Sequence, residues 1–393
     1  MHAALTVFFK EVIENMRDRR TVLNALITGP LIGPILFALL LNVQLRQQIE
    51  QAEKPLPIPV IGVQNAPHLI AYLRAQGLVV KPPPQGGSAQ LAVNQQRASV
   101  VLVIPKRFAK AWAKGESAGV ELVYDSSRHA SATPVRRLRG MIRQYASITA
   151  AQRMLVRGLS PALTRPVVVE RRDQATAQSR SALVFSILPY FFVLTVFLGG
   201  MYLAIDTTAG ERERQSLEPL LANPVARNTI LAGKLMATTA FALVSLCLSI
   251  LAFSLVGRFM PMQQLDIVLQ LDLHFAAITL LLMLPLTVLL AALQTLVAAF
   301  AKSYREAQTY LSLLMIIPVI PSLLLAFMPV KAATWMYLVP LLGQQLGIMA
   351  LVRGDGLSAP SIAASLLGTS VAAALAWLAT AWVYRSERLA ISA

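Results

Sequence analysis

The sequence predicts an α-helical polytopic membrane protein: six transmembrane helices, with an α/β extracytoplasmic domain between the first and the second. Three observations predict it. The chain is 56% hydrophobic and only 14% charged, whereas a soluble domain is nearer half apolar and a quarter charged. The apolar residues gather into runs long enough to cross about 30 Å of hydrocarbon as helices. After the first run the sequence changes character over 45–180, where Pro-rich linkers separate short apolar strands from amphipathic helices.

Residues 1–20 read as an N-terminal amphipathic interfacial helix. Leu5, Phe8, Phe9, Val12, Ile13 and Met16 follow helical spacing, with Lys10, Glu11, Glu14, Arg17 and Asp18 between them, the pattern of a helix lying at a membrane surface. A solvated first turn of the next helix is the other reading. Residues 21–44 form transmembrane helix 1, interrupted by Gly29, Pro30, Gly33 and Pro34. The run is too long for a signal peptide and lacks its small-residue cleavage site, so it is retained and bent near its middle.

In 45–180, Ile58–Val63, Leu78–Val80, Val100–Ile104, Val120–Val123 and Val167–Val169 read as strands. Helices are expected at 66–76, 88–97, 105–114 and 134–158, and such alternation suggests a small α/β domain. The segment carries 20 Lys and Arg against 7 Asp and Glu, a surplus of 13 within the chain's +16. Cys247 is the one cysteine and lies in an apolar run, so this domain folds on its core without a disulfide. Residues 181–393 are the membrane domain. Transmembrane helices 2–6 are expected at about 182–205, 232–257, 274–301, 308–328 and 361–384. A cytoplasmic segment at 206–231 links helices 2 and 3. The shorter stretch 335–352, with Pro340, Gly343, Gln344 and Gln345, reads as an outer interfacial or re-entrant helix.

Counted over the short loops, one side of the membrane holds 12 Lys and Arg and the other 3 (Arg258, Lys331 and Arg353). The basic side is cytoplasmic. Both termini are then cytoplasmic and 45–180 lies outside; long domains translocate largely regardless of charge.

Enzyme motifs are missing from the sequence. A phosphate-cradling loop needs Gly, four residues, then Gly-Lys-Ser/Thr; here Gly233-Lys234 is followed by Leu235, and Asn228 stands where the first Gly should be. No Gly-x-Ser-x-Gly elbow occurs. His2, His68, His129 and His274 are scattered, without metal-ligand spacing, and Asp125-Ser126-Ser127-Arg128-His129 reads as a loop after a strand. No catalytic or cofactor-binding residue is expected, and the sequence does not settle a metal site. No basic cluster interleaves with aromatic residues in the manner of a nucleic-acid module, so nucleic acid is not an expected partner.

The informative segment runs from Asp206 to Arg227. It opens as a helix capped by Asp206 or Thr207, with acidic first turns. Glu211, Arg212, Glu213 and Arg214 are dense charge at the membrane surface, and Leu217, Leu220 and Leu221 form an apolar stripe at i, i+3, i+4. A helix that merely anchors the loop would have the same features. The order Gly210-Glu211-Arg212-Glu213-Arg214, then Ser216-Leu217-Glu218-Pro219-Leu220-Leu221, then Asn223-Pro224-Val225-Ala226-Arg227 and Gly233-Lys234 resembles the cytoplasmic signature of ABC-2 type transporter permeases. Those proteins commonly carry Gly-Glu-Lys/Arg-Glu-Arg-Gly-Thr-Leu-Glu here, and Gln215-Ser216 departs from the usual Gly-Thr. The resemblance extends over the whole chain, and with Ala204-Ile205-Asp206 leading into the signature it is greatest to the NatB-like sodium-extrusion branch.

That resemblance implies the permease half of an ATP-driven exporter in the bacterial inner membrane. A separate cytoplasmic ABC ATPase subunit would bind ATP and Mg. It would meet the coupling residues Gly210, Glu211, Arg212, Glu213, Arg214, Leu217, Glu218, Leu220, Leu221, Pro224 and Arg227, with Glu211, Glu213 and Glu218 presenting charge to it. A second permease copy or a homologue would complete the pathway, and membrane lipid surrounds it. Sodium is the cargo the branch implies. No Asp, Glu, Lys or Arg sits mid-span, where ion pathways usually expose one, so a lipid or amphiphilic drug remains the alternative cargo. A membrane-anchored extracytoplasmic binding or sensor protein is the alternative of another class; a secondary transporter would show paired sequence halves.

Overall fold

The computed structural model describes residues 2–53, 55–84, 88–164, 176, 178, 185–216, 224–259, 271–327 and 332–385. The chain divides into two compact units, one of Met1–Leu41 with Asp173–Ala393 and one of Asn42–Arg172. Each has its own core.

In the first unit, helix α1 (His2–Arg17) opens the chain. Its outward stripe is apolar, with Leu5, Phe9, Ile13 and Met16 all more than two-fifths exposed, while Glu11 and Asn15 are buried. The inward side is mixed, with Phe8 and Val12 packed against a core that includes Phe241 beside the buried Glu11 and Asn15, and the outward side carries Lys10, Glu14 and Arg17 as well as the apolar residues. Asp18 then caps α2 (Arg19–Val22), accepting from the Arg20 and Thr21 N–H groups and the Thr21 hydroxyl. A π-helical turn over Leu23–Thr28 leads into α3 (Gly29–Glu53). Pro30 has no N–H for the preceding turn, and the wider register there carries the chain through without a break. Gly33 lets the helix approach the Phe191 ring, which a Cβ would meet at 3.0 Å.

Beyond the second unit come α8 (Leu188–Ile205), another π turn (Asp206–Gly210), α9 (Glu211–Glu213), α10 (Arg227–Phe259) and α11 (Leu273–Phe300). They are followed by α12 (Tyr304–Leu314), α13 (Val319–Phe327), a 3-10 turn (Thr334–Leu338), α14 (Leu342–Arg353) and α15 (Ala359–Arg385). Among the described residues five helical stretches are long and apolar enough to cross a membrane: Arg19–Val43, Leu188–Glu213, Arg227–Phe259, Leu273–Phe300 and Ala359–Arg385.

The sixth expected span, 308–328, is not one helix. It is split into α12 and α13 by turns at 315–318. Pro318 has no N–H for the Leu314 carbonyl and disfavours helical geometry at Ile317, and α12 ends at Leu314. Among the described residues, then, five stretches are continuous, and the sixth expected span is two shorter helices. The segment 335–352 is also reshaped. Its helix α14 begins at Leu342, and Gly343, Gln344, Gln345, Leu346, Gly347, Ile348 and Val352 are buried.

The second unit holds a four-stranded sheet of order β2-β1-β3-β4, with β1 Leu56–Ile61, β2 Leu78–Lys81, β3 Val100–Val103 and β4 Glu121–Tyr124. β1 is parallel to both neighbours, and β3 and β4 are antiparallel. Pro57 and Pro59 have no N–H to donate, and β3 joins β1 only at Val60 and Ile61, past both prolines. Helices α4 (Pro67–Ala75), α5 (Ala89–Asn94), α6 (Arg107–Ala113) and α7 (His129–Val156) complete it. Ile58, Val60, Leu69, Leu73, Leu102 and Leu138 form its core. The expected strand Val167–Val169 lies outside the described residues.

Candidate functional site

The signature begins inside a helix. α8 continues through the π turn into Glu211–Glu213 without leaving helical geometry, because Ile205, Asp206, Gly210 and Glu211 all have right-handed helical backbones. The turn ends in a Schellman cap: Ser216 N–H donates to the Glu211 carbonyl (3.0 Å) and Gln215 N–H to the Arg212 carbonyl (3.0 Å). Gln215 holds the left-handed position, φ +57°, which glycine adopts without a Cβ penalty. That conformation accounts physically for glycine being usual where this chain has Gln215.

Glu211 does not present its carboxylate outward; it is 5% exposed. The Lys234 ammonium, fully buried on α10, donates to one of its oxygens and to the Thr207 carbonyl (2.5 Å). Lys10 of α1 reaches the other oxygen at 3.3 Å and also Glu11 at 3.1 Å. With Glu14, which Lys10 also reaches at 3.3 Å, three carboxylates and two ammonium groups thus join α1, the signature and α10 in one cluster. Burial pushes the Glu11 carboxyl above its usual range. Half-burial works against the Lys10 cation, but Glu11, Glu211 and Glu14 more than offset it and hold its pKa above the ordinary lysine value. Two further details tighten the cluster. Tyr384 of α15 donates to the Thr208 hydroxyl at 3.3 Å. Gly233 lets α10 meet α1, where a Cβ would lie 2.6 Å from Val7 Cβ and 2.7 Å from the Ala4 carbonyl oxygen.

The other signature charges hold helix ends. Arg212 donates to the Ala299 and Ala301 carbonyls at 3.5 Å, at the end of α11. Arg227 donates to the Tyr384 and Arg385 carbonyls at 3.4 and 3.2 Å, at the end of α15. Cations there complement unpaired carbonyls and the helix dipole. Glu213, still exposed, accepts the Tyr304 N–H at the start of α12 (2.7 Å), and Arg214 pairs with Asp206 at 2.9 Å. Gly210 is buried within the π turn, and Pro224 is exposed. Leu217, Glu218, Leu220 and Leu221 lie outside the described residues. Signature residues thus grip α1, α10, α11, α12 and α15.

Sequence reasoning missed Lys234 and Glu11 as members of this site. Lys234 was read as part of a failed phosphate loop, a cytoplasmic basic residue and the end of the signature resemblance, never as a partner of Glu211. Its signal was a lone cation starting an apolar span, which requires a buried partner.

Two comparisons bear on the arrangement. The family described as "ABC-2 family transporter protein" matches residues 26–382. The "ABC transporter permease protein NatB" of Bacillus subtilis (strain 168) is 25% identical over 320 residues, covering 80% of each chain.

Proposed function

The chain belongs to the ABC-2 transporter family, and from that membership we propose that it is the membrane half of an ATP-driven exporter, moved at its signature segment by a cytoplasmic ATPase subunit. Permeases of this family are not themselves catalytic and generally work with such a subunit, which binds ATP and Mg. The observation that carries the reading is the buried Glu211–Lys234 pair with Lys10 and Glu11. Several kcal/mol of desolvation is spent on each charge so enclosed, and the cost fixes three helices together where a motor would push. A partner's push on the exposed Arg214–Gln215–Ser216 cap would reach α10, α11 and α15 through Glu211, Arg212 and Thr208.

Within this reading, the chain sits in a bacterial inner membrane with both termini cytoplasmic, α12–α13 supplies the sixth crossing as a broken helix, and residues 45–180 lie outside. A second copy or a homologue completes the pathway. Sodium is the cargo suggested by the branch resemblance. Among the described residues no cluster of three or more His, Cys, Asp or Glu side chains could hold a metal ion, so a sodium path would depend on Ser, Thr, Gln and carbonyl oxygens. Affinity purification of the full chain from its native membrane should retain an ABC ATPase, and inverted vesicles of that membrane should accumulate sodium on ATP addition. Retention of no ATPase would overturn the exporter reading; ATP-dependent uptake of a lipid dye without sodium would replace only the cargo.

A further inference from the structure

We propose that Thr195, Ser249 and the Gly29 carbonyl form a binding site for a monovalent cation of sodium's size, deep in the membrane unit. The proposal rests on the sodium reading of the cargo given above, and it names the oxygens that would hold that ion.

The three oxygens come from three helices: α8, α10 and the head of α3. All three residues are buried, with Thr195 at 1% exposure and Ser249 at 0%. Thr195 Oγ1 lies 3.5 Å from the Gly29 carbonyl oxygen and 3.4 Å from Ser249 Oγ. Good O–H···O hydrogen bonds run about 2.5–3.0 Å, and Thr195 has a single hydroxyl proton for both acceptors. Thr195 is also the one partner of Ser249 among the described residues. Serine in a span normally bonds its own helix or a neighbour. Ser245, one turn earlier on α10, does both, donating to the Phe241 carbonyl at 2.9 Å and the Ala25 carbonyl at 2.6 Å. The looser spacing at Thr195 matches a different kind of bond. Oxygens at neighbouring corners around an octahedral ion stand about 1.4 bond lengths apart, or roughly 3.3–3.7 Å for the bonds of about 2.3–2.6 Å that calcium makes, and sodium is of calcium's size.

Charge decides between those ions. Calcium is held by carboxylates, whereas this site offers two hydroxyls and a carbonyl, so a single positive charge fits. Lys234, Thr238, Ser245 and Ser249 are fully buried. They lie on one face of α10 at spacings of four, seven and four residues, a polar seam of about 22 Å at about 1.5 Å per residue. The seam rises from the Glu211 cluster and stops at Ser249. One turn further on, Phe253 meets Phe191 and Phe192 with ring centroids 5.9 and 5.6 Å apart, and an apolar constriction of this kind holds back water and ions. The site thus ends a polar path from the coupling segment, behind a plug that a movement of α8 against α10 would open.

The test uses the full chain in phosphatidylcholine nanodiscs without an ATPase, so that binding is read apart from transport. With N-methylglucamine holding the ionic strength constant, raising sodium from about 1 to about 100 mM should raise the melting temperature saturably, as a ligand bound only by the folded chain does. Potassium, with its longer bonds, should do so far less. Thr195→Val keeps the volume and removes one oxygen. That variant and Ser249→Ala should each move the sodium midpoint upward at least about tenfold, no less than the loss of an outer-shell partner costs, whereas Thr195→Ser should leave it in place. Ser245→Ala removes a hydroxyl used in packing, and it should lower the melting temperature while keeping the sodium response. A response unchanged in Thr195→Val and Ser249→Ala would overturn the site and leave sodium as cargo at other oxygens. Equal responses to sodium and potassium would mark a salt effect and overturn it as well. No sodium response in the unaltered chain would also overturn it, and sodium uptake by inverted vesicles then decides the cargo separately.

Discussion

The Lys234 ammonium is fully buried, with a carboxylate and a backbone carbonyl as its partners. Removing one member of such a pair strands the other, at a cost of about 3–5 kcal/mol, whereas replacing both with apolar or neutral groups is often near neutral. Lys234→Met should therefore lower the thermal stability of the detergent-purified permease sharply, and Glu211→Gln/Lys234→Met should recover most of it. If the pair only packs the helices, the double variant should also recover ATPase coupling; if it transmits force, coupling stays lost while the melt is restored. A second residue-scale test concerns Gln215. A left-handed non-glycine residue costs about 1–2 kcal/mol, partly offset by glycine's greater freedom in the unfolded chain. Gln215→Gly should raise stability by up to about 1 kcal/mol, and a lowered melting temperature would contradict the cap. The acidic and basic identities of this site were legible in the sequence, but their directions were not. Periodicity places Glu211 on a helix without saying that the helix enters a π turn, and that turn aims the carboxylate at Lys234.

Elements were legible where one pattern dominates a whole segment. The continuous apolar run at 232–257 falls within α10, whose bounds lie five and two residues further out, and the run at 274–301 matches α11 to within one residue at each end. The run at 308–328 was legible as apolar but not as broken, although Pro318 and Pro321 were in plain view; hydropathy is blind to the N–H a proline lacks. What mends the break came from elsewhere in the chain. Gln345 of α14 donates to the Pro318 carbonyl at 3.3 Å and accepts from Ser322 at 3.1 Å. Its neighbour Gln344 donates to Ser365 and Thr369 of α15 at 3.1 and 2.7 Å, and accepts the Leu341 N–H at 2.8 Å. Two adjacent glutamines thus bind α14 to different partners, one to the broken segment and one to an intact span. Gly368 sharpens the second contact, since a Cβ there would sit 2.0 Å from the Leu338 carbonyl oxygen. Gln345→Leu keeps the volume and removes both bonds, leaving the Pro318 carbonyl and the Ser322 hydroxyl only their mutual contact at 3.4 Å, a loss of about 0.5–1.5 kcal/mol for each bond removed. The expected result is a lower melting temperature with faster proteolysis or hydrogen exchange confined to 304–327. Uniform loosening of the whole unit would mean that the glutamine is simply part of the core.

At the scale of the molecule, two patterns divide the chain. Short apolar segments between Pro-rich linkers mark the sheet unit, and β1 runs Leu56–Ile61 where Ile58–Val63 was expected; the proline-studded start of that strand hid its first two residues. Long continuous apolar runs mark the spans, and the sequence also carries the asymmetry that orients them. Arg212, Arg227, Lys302 and Arg385 cluster at one end of the spans. Three of these four make contacts in the structure that are specific to that end: Arg212 to Ala299 and Ala301, Arg227 to Tyr384 and Arg385, and Arg385 to Asn228 at 3.3 Å. Basic loops stay on the cytoplasmic side, so Ser303, beside Lys302 and capping α12 through Glu306 N–H, should face the cytoplasm. Ser88, the cap of α5 in the sheet unit, should face outside. On a Cys247→Ser background, Ser88→Cys should react with a membrane-impermeant maleimide in intact cells, whereas Ser303→Cys should react only after permeabilisation. Each variant loses a cap worth typically about 1 kcal/mol, too little to prevent folding. Labelling of Ser303→Cys in intact cells, with Ser88→Cys protected, would place the signature segment outside and out of reach of any ATP-driven partner.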